Sequence, residues 1–133
     1  MDIDFTAASC ASWMEVKTDG SENGAFKLLP KIYGRYRKMS GKVNGNVYYE
    51  RMFQGVRYGI WRCNDGSWSI GLSTNKNKTC RDNTRVAKTQ RTPKNSYKCP
   101  NDTKLNWQYY NNCAQIFYPV LDSLKVKSSK KII

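Results

Sequence analysis

The side chains of this sequence most capable of chemistry are arginines and lysines that alternate with aromatic residues. Residues 35–37 read Arg-Tyr-Arg, and residues 57–62 place two arginines beside a tyrosine and a tryptophan. In an extended strand successive side chains point to opposite faces, so these segments predict one apolar and one basic face. A basic face attracts anionic partners and raises their association rates. We therefore predict a surface for an anionic partner that includes Arg35, Arg37, Arg57, Trp61 and Arg62. Lys125 is also expected to project from a solvent face.

A second basic segment covers about 74–98, where eight bases accompany one acid and large apolar residues are nearly absent. This composition predicts a long exposed basic loop or a pair of short edge segments. One interpretation is that the bases only solvate the surface. The other is that they bind, since the self-repulsion of so many uncompensated charges favours an anionic partner. The binding candidates in this segment are Lys76, Lys78, Arg81, Arg85, Lys88 and Arg91.

The charge of the whole chain is strongly positive but unevenly distributed. The net charge is +13, and residues 1–24 contain five acids and one base, so the excess of bases lies after residue 24. Such a charge is compatible with an anionic glycan, an acidic protein, phospholipid head groups or nucleic acid. It does not by itself distinguish between them.

The sequence argues against an enzyme. It contains no histidine, which excludes Ser-His-Asp triads, Cys-His pairs and acid–base catalysis by two histidines. A glycosidase needs two carboxylates across the scissile bond, and the only candidate for a buried acid after residue 24 is Glu50. Asp65 and Asp102 lie in turn-like contexts, where a side chain caps the backbone. No cofactor or metal site is predicted, since close pairs of cysteine ligands are also absent.

The five cysteines predict disulfides and an oxidising compartment, because their intervals are long and irregular. The favoured arrangement pairs Cys63 with Cys80 and Cys99 with Cys113. Cys10 is then unpaired, or bonded to a second chain in a homodimer. The alternative is that Cys10 pairs within the chain and another cysteine is the odd one.

Three further features bear on localisation. The sequons that begin at Asn77 and Asn101 lie in polar stretches where a glycan can be attached. No apolar run approaches the roughly 20 residues of a membrane span, so no transmembrane segment is predicted. The acidic start of the chain does not resemble a signal peptide, and Met1 can be an expression start on a mature chain. Together with the cysteines, these features predict a secreted, extracellular glycoprotein.

The elements that must position these residues are predicted to be strands. The most regular part of the pattern is a central meander over about 34–72, whose turns are marked by Asn44-Gly45 and by residues 64–66. A first strand is predicted at 13–17, a further ordered segment at 107–110 and a last strand at 121–127. No helix is predicted. We expect one all-β domain over 10–127, a small antiparallel sandwich or barrel, with a flexible lead-in at 1–9 and a frayed tail at 128–133.

Four short motifs follow one another along the chain: Asn-Gly-x-x-Tyr at 44–48, Trp-x-Ile-Gly at 68–71, Cys-Pro at 99–100 and Trp-x-x-Tyr at 107–110. The pattern resembles a small cysteine-containing extracellular β module that recurs in secreted and mosaic proteins of invertebrates. The resemblance covers about residues 10–127. This chain departs from the pattern at Asn46-Val47, where Arg-Pro is expected, and in its high charge. The resemblance implies extracellular recognition or adhesion and carries over no catalytic motif.

Three functions follow as hypotheses. The first is a non-enzymatic extracellular recognition or adhesion protein that binds another protein or an anionic glycan through a basic surface. The second is a nucleic-acid-binding barrel of the OB type, using aromatic side chains for stacking; the cysteines and sequons argue against it. The third is a host-defence protein acting on anionic membranes, for which an amphipathic helix is not predicted.

Overall fold

The computed structural model describes residues 10–18, 30–77, 80–81, 84–111, 116–119 and 124–129. The expectations for 1–9, 130–133, Lys78 and Cys113 therefore lie outside the described residues. The described chain is all-β with two 3-10 turns, Pro30–Ile32 and Ser73–Asn75, which confirms the predicted fold class. The strands are β1 (Trp13–Thr18), β2 (Gly34–Lys38), β3 (Tyr49–Phe53), β4 (Val56–Arg62), β5 (Trp68–Leu72), β6 (Ala87–Thr89), β7 (Trp107–Asn111), β8 (Ile116–Pro119) and β9 (Leu124–Ser129).

All nine strands belong to one antiparallel sheet in the order β8-β7-β6-β5-β4-β3-β2-β1-β9. Strands β2 to β5 are consecutive neighbours, which confirms the central meander. The last strand returns across the molecule to pair with β1 along six residues. Its pairing continues through Ser129, so the predicted frayed tail begins too early: Ser128 and Ser129 lie opposite Met14 and Trp13.

The turns of the meander follow from residues that tolerate a left-handed backbone. Asn44 and Gly45 have φ values of 52° and 77°, and Val43 and Asn46 exchange two backbone hydrogen bonds across them. This is the geometry of a two-residue hairpin turn with two positive φ angles. The second turn uses Asp65, whose carboxylate accepts a bond of 2.9 Å from the backbone N–H of Ser67.

The inner face of the sheet encloses one hydrophobic core. Its buried members come from β1 to β7 and β9, which means that the sheet curls until its two ends share one interior. Among the described pairings none joins β8 to β9, so the barrel-like sheet is not fully closed. Two tyrosines in this core donate hydrogen bonds to carbonyls, Tyr36 to Ile32 at 2.7 Å and Tyr49 to Ala11 at 2.6 Å. Burial raises the pKa of both phenols.

The curled sheet also determines the disulfides. The Cys63–Cys80 bond is present, as predicted. The predicted Cys99–Cys113 bond with an unpaired Cys10 is wrong, because Cys99 is bonded to Cys10. Short sequence separation suggested the wrong partner, whereas curvature brings the segment before β1 beside the segment before β7. Cys10 is therefore not available for a disulfide to a second chain.

The segment 74–98 differs from the predicted exposed loop. It contributes β6, which pairs with both β5 and β7 and so lies inside the sheet rather than at its edge. Several of its residues are buried, among them Arg85, Ala87 and Thr89. In β6 the small residues Ala87 and Thr89 are buried, and Lys88 between them is the only base of the strand.

Candidate anion-binding surface

Basic side chains from the four strands β1, β2, β4 and β9 lie on the outer face of the sheet. Register places the side chains of Trp13, Glu15 and Lys17 on the face opposite to the buried Met14 and Val16. The same register continues this outer face across the neighbouring strands β9, β2, β3 and β4. We define the outer basic face by its six bases: Lys17, Arg35, Arg37, Arg57, Lys125 and Lys127.

The arrangement of these bases leaves much of their charge uncompensated. Lys17 lies directly opposite Lys125, a cross-strand position at which side chains are about 5 Å apart and like charges destabilise the sheet. The acid of β1, Glu15, lies between Lys127 and Arg35. Within the described part of the chain, neither lysine of the 17/125 pair has an ion-pair partner. The repulsion between Lys17 and Lys125 is relieved when an anion binds over both side chains.

Three of the predicted binding residues belong to this face: Arg35 and Arg37 on β2, and Arg57 on β4. Arg37 is exposed and lies opposite Trp13 in the register. Arg35 is half-buried: its guanidinium lies 4.9 Å from the centre of the Trp13 ring and donates to the hydroxyl of Ser129 at 3.0 Å. The cation–π contact places Arg35 over one face of the Trp13 ring, so that face is not free for stacking.

Arg57 and Lys76 meet around the one acid of β3. Glu50 is nearly buried, with 8% of its side chain exposed, and lies 3.8 Å from Arg57 and 3.7 Å from Lys76. Ser73 donates a further hydrogen bond to the same carboxylate. Lys76 also lies over the Tyr48 ring at 5.6 Å. These contacts give Glu50 a structural role and leave Arg57, with 58% of its side chain exposed, at the margin of the outer basic face.

The predicted exposure of Trp61 is wrong. Its ring forms a second small core with Val43 and Cys63, on the outer side of β4 and β5. The ring fits because Gly59 and Gly71 flank it: a Cβ built on either glycine would lie within 3.5 Å of the Trp61 ring. The alternation of side chains along β4 correctly placed Trp61 away from the main core. The sequence pattern did not show that other residues, among them Val43 and Cys63, cover this part of the outer face.

Arg62, also predicted to bind an anion, is 2% exposed. Strand parity places it on the inner face at the end of β4, where the segment 92–94 wraps around it. Its guanidinium donates to the Thr92 hydroxyl at 2.6 Å and to the carbonyl oxygens of Pro93 (2.9 Å), Gly66 (3.3 Å) and Lys94 (3.4 Å). All four acceptors are neutral oxygens. Burial lowers the pKa of Arg62, but arginine keeps its charge at neutral pH.

Two bases of the 74–98 segment, Arg85 and Arg91, lie near Asp65, and Lys88 lines the same pocket of about 250 Å³. Arg85 is buried and donates to the Ser67 hydroxyl at 2.8 Å, so its predicted exposure is also wrong. Arg91 is exposed and lies 3.4 Å from Asp65. Burial alone would raise the pKa of Asp65, but hydrogen bonds from Ser67 and the charges of Arg85 and Arg91 outweigh it and hold that pKa below its usual value.

The remaining predicted positions are dispersed. Arg81 and Asn77 are exposed, and Asn101 is half-buried. Asp102 accepts a backbone hydrogen bond from Lys104 at 2.8 Å, as its turn context predicted. Sequence reasoning did not include Lys17 and Lys127 in the site. The alternation of side chains along the two strands could have identified them, because Lys17 follows the buried Val16 and Lys127 follows the buried Val126, so both lysines point to the outer face.

Comparison with models of protein families, with curated proteins and with solved structures found no match to this chain. In the parts of the chain that the structure describes, no helix has the length and apolar character to cross a membrane.

Proposed function

We propose that this protein is a non-enzymatic extracellular recognition protein that binds an anionic glycan through its outer basic face. The observation that carries the proposal is the Lys17–Lys125 pair within a face of six bases and two acids. A rigid sheet holds these charges at fixed spacings, about 5 Å between strands and about 7 Å along a strand. A flexible polyanion can adapt its charged groups to such a lattice.

Secretion is part of the proposal and is supported by the two disulfides, Cys10–Cys99 and Cys63–Cys80, because such bonds persist in oxidising compartments. The sequons at Asn77 and Asn101 agree with it. The non-enzymatic part is supported by the local contacts of the carboxylates: Glu50, Asp65 and Asp102 each bond to neighbouring structural groups.

A glycan is favoured over nucleic acid because of the aromatic side chains. Binding of single strands relies on exposed rings on which bases stack. Trp61 is buried, and Arg35 occupies one face of the Trp13 ring. An acidic protein surface and an anionic membrane are the other partners that the charge allows, and the experiment below distinguishes them.

The test compares retention on immobilised heparin, single-stranded DNA and anionic vesicles across a salt series. The variant K17Q/R37Q/K125Q removes three charges from the outer basic face. The matched control K42Q/R81Q/K104Q removes three exposed charges elsewhere. We expect the first variant to bind heparin about 10- to 100-fold more weakly, with a log–log salt dependence shallower by about two to three, and the control to change much less.

Equal weakening by both variants would mean that only net charge matters. Equal retention of the wild-type protein on all three matrices would likewise contradict selective glycan binding. Retention on vesicles or DNA alone would assign the outer basic face to those partners.

A further inference from the structure

A polar cleft opens at the end of the barrel opposite to the β3–β4 hairpin. Three segments line it: the turn 44–46, the segment 62–66 and the segment 92–98. Its volume is about 600 Å³, within the range typical of small-molecule sites, and the mouth of a barrel is a common location for such sites. We call it the end cleft. It does not include any member of the outer basic face.

The end cleft is held in shape before any ligand arrives. Arg62 joins the segment 92–94 to Gly66 through the hydrogen bonds described above, and Thr92 donates a further bond to the Gly66 carbonyl at 2.7 Å. Asn44 donates to the Arg62 carbonyl at 2.9 Å, which fixes the third wall. A site whose walls are already fixed loses less conformational entropy on binding.

The lining of the end cleft is rich in amides and cations. Each asparagine amide offers both a donor and an acceptor, as a sugar hydroxyl does. Asp65 is the one acid among the described lining residues, and its carboxylate is engaged by Ser67 and Arg91. The Asn46 amide donates to the Asn44 carbonyl at 2.8 Å. The side chains available to a ligand are therefore Asn64, Asn95, Lys94 and Lys98.

The positive charge of the end cleft and the lack of aromatic side chains in its described lining favour an anionic, polar ligand. Lys94 and Lys98 are exposed and have no ion-pair partner in the part of the chain that the structure describes. Arg62, another lining residue, is a buried cation whose four acceptors are all neutral, so its charge adds to that of the two lysines. None of the described lining residues is aromatic, so a nucleobase or a largely apolar ligand would find no stacking surface.

We propose that the end cleft binds an acidic sugar unit, a saccharide that carries a carboxylate or a sulfate. Lys94 and Lys98 contact the anionic group, and the amides of Asn64 and Asn95 contact hydroxyls. The choice of a sugar rests on the proposed glycan-binding function. The cleft gives that function a selective subsite, whereas the outer basic face supplies long-range attraction.

The test is calorimetric titration of the full-length protein with a sulfated heparin disaccharide, which is too short to depend on the extended outer basic face. We expect K94Q/K98Q to weaken binding at least about tenfold, since two charged contacts are lost. N95A should weaken it about threefold. K42Q/K104Q, the matched control, and K17Q/R37Q/K125Q should both stay within about twofold of the wild-type protein.

Three results would overturn the inference: no binding of the disaccharide by the wild-type protein, unchanged binding by K94Q/K98Q, or equally tight binding of inorganic sulfate at the same ionic strength. In each case retention of long heparin by the outer basic face can still be observed, so the proposed function stands or fails separately. The variants change exposed side chains, and the thermal unfolding of each checks its folding.

Discussion

Replacing Arg62 with methionine tests the central packing feature at the end of the barrel. The two short hydrogen bonds, to Thr92 at 2.6 Å and Pro93 at 2.9 Å, are charge-assisted and contribute about 1.5–3 kcal/mol each. The two longer bonds, at 3.3 and 3.4 Å, contribute less. Methionine fills part of the volume and removes the cost of a buried charge, which offsets some of the loss. We expect the free energy of unfolding to fall by about 3 kcal/mol.

The assay is equilibrium unfolding in urea at neutral pH with both disulfides intact. Because small proteins lose about 1–3 kcal/mol of stability per molar urea, the midpoint should fall by about 1–3 M. The control is Arg57→Met. Arg57 is 58% exposed and lies 3.8 Å from Glu50, so its loss should cost at most about 1 kcal/mol.

A third variant, Arg62→Lys, separates geometry from charge. Lysine keeps the positive charge but cannot reproduce the planar fork of donors, so it should still lose more than half of the stability lost by Arg62→Met. Equal costs for the Arg62→Met and Arg57→Met variants would refute the structural role given to Arg62. Wild-type stability of Arg62→Lys would show that charge alone suffices.

Three other predictions concern different parts of the fold. Gly71→Ala should lower the free energy of unfolding by about 1–3 kcal/mol in the same urea assay, because its Cβ would lie 3.1 Å from the Thr84 carbonyl oxygen; a cost below about 0.5 kcal/mol would contradict the packing described. Replacing both Cys10 and Cys99 with alanine should lower the free energy of unfolding by about 4–5 kcal/mol by the chain-entropy model, given their separation of 89 residues, and peptide mapping of the wild-type protein without reduction should recover the bond between Cys10 and Cys99. Asp65→Asn should flatten the acid side of the stability profile. The lowered pKa of Asp65 stabilises the native state at pH values above the ordinary pKa of this carboxyl in the unfolded chain, and this contribution is lost as the pH falls through the lower native pKa. Parallel acid profiles of the variant and the wild-type protein would contradict this reasoning.

The central part of the fold was predictable because its determinants are local. Alternation of apolar residues defines β4 and β5, and Asn44-Gly45 predicts a turn that needs two positive φ angles. The same alternation places Arg37 and Arg57 on the outer face. The sequence of β6 did not predict a strand. β6 has only three residues, and its structure depends on pairing with β5 on one side and β7 on the other.

The parts that sequence reasoning missed depend on contacts between distant segments. The Cys10–Cys99 bond needs the curvature of the whole sheet, and sequence separation gives no measure of it. Arg62 is buried because a segment 30 residues away supplies its acceptors. The end cleft depends on the same contacts, so Lys94 and Lys98 could be recognised as basic but not as lining residues of a cleft.

The most direct measurement of the central claim is lysine footprinting by acetylation and mass spectrometry, with and without long-chain heparin. If the outer basic face binds the glycan, Lys17, Lys125 and Lys127 should be strongly protected, while the exposed Lys42 and Lys104 should be labelled almost as before. Equal protection of all five lysines, or protection of Lys42 and Lys104 without Lys17 and Lys125, would contradict the account.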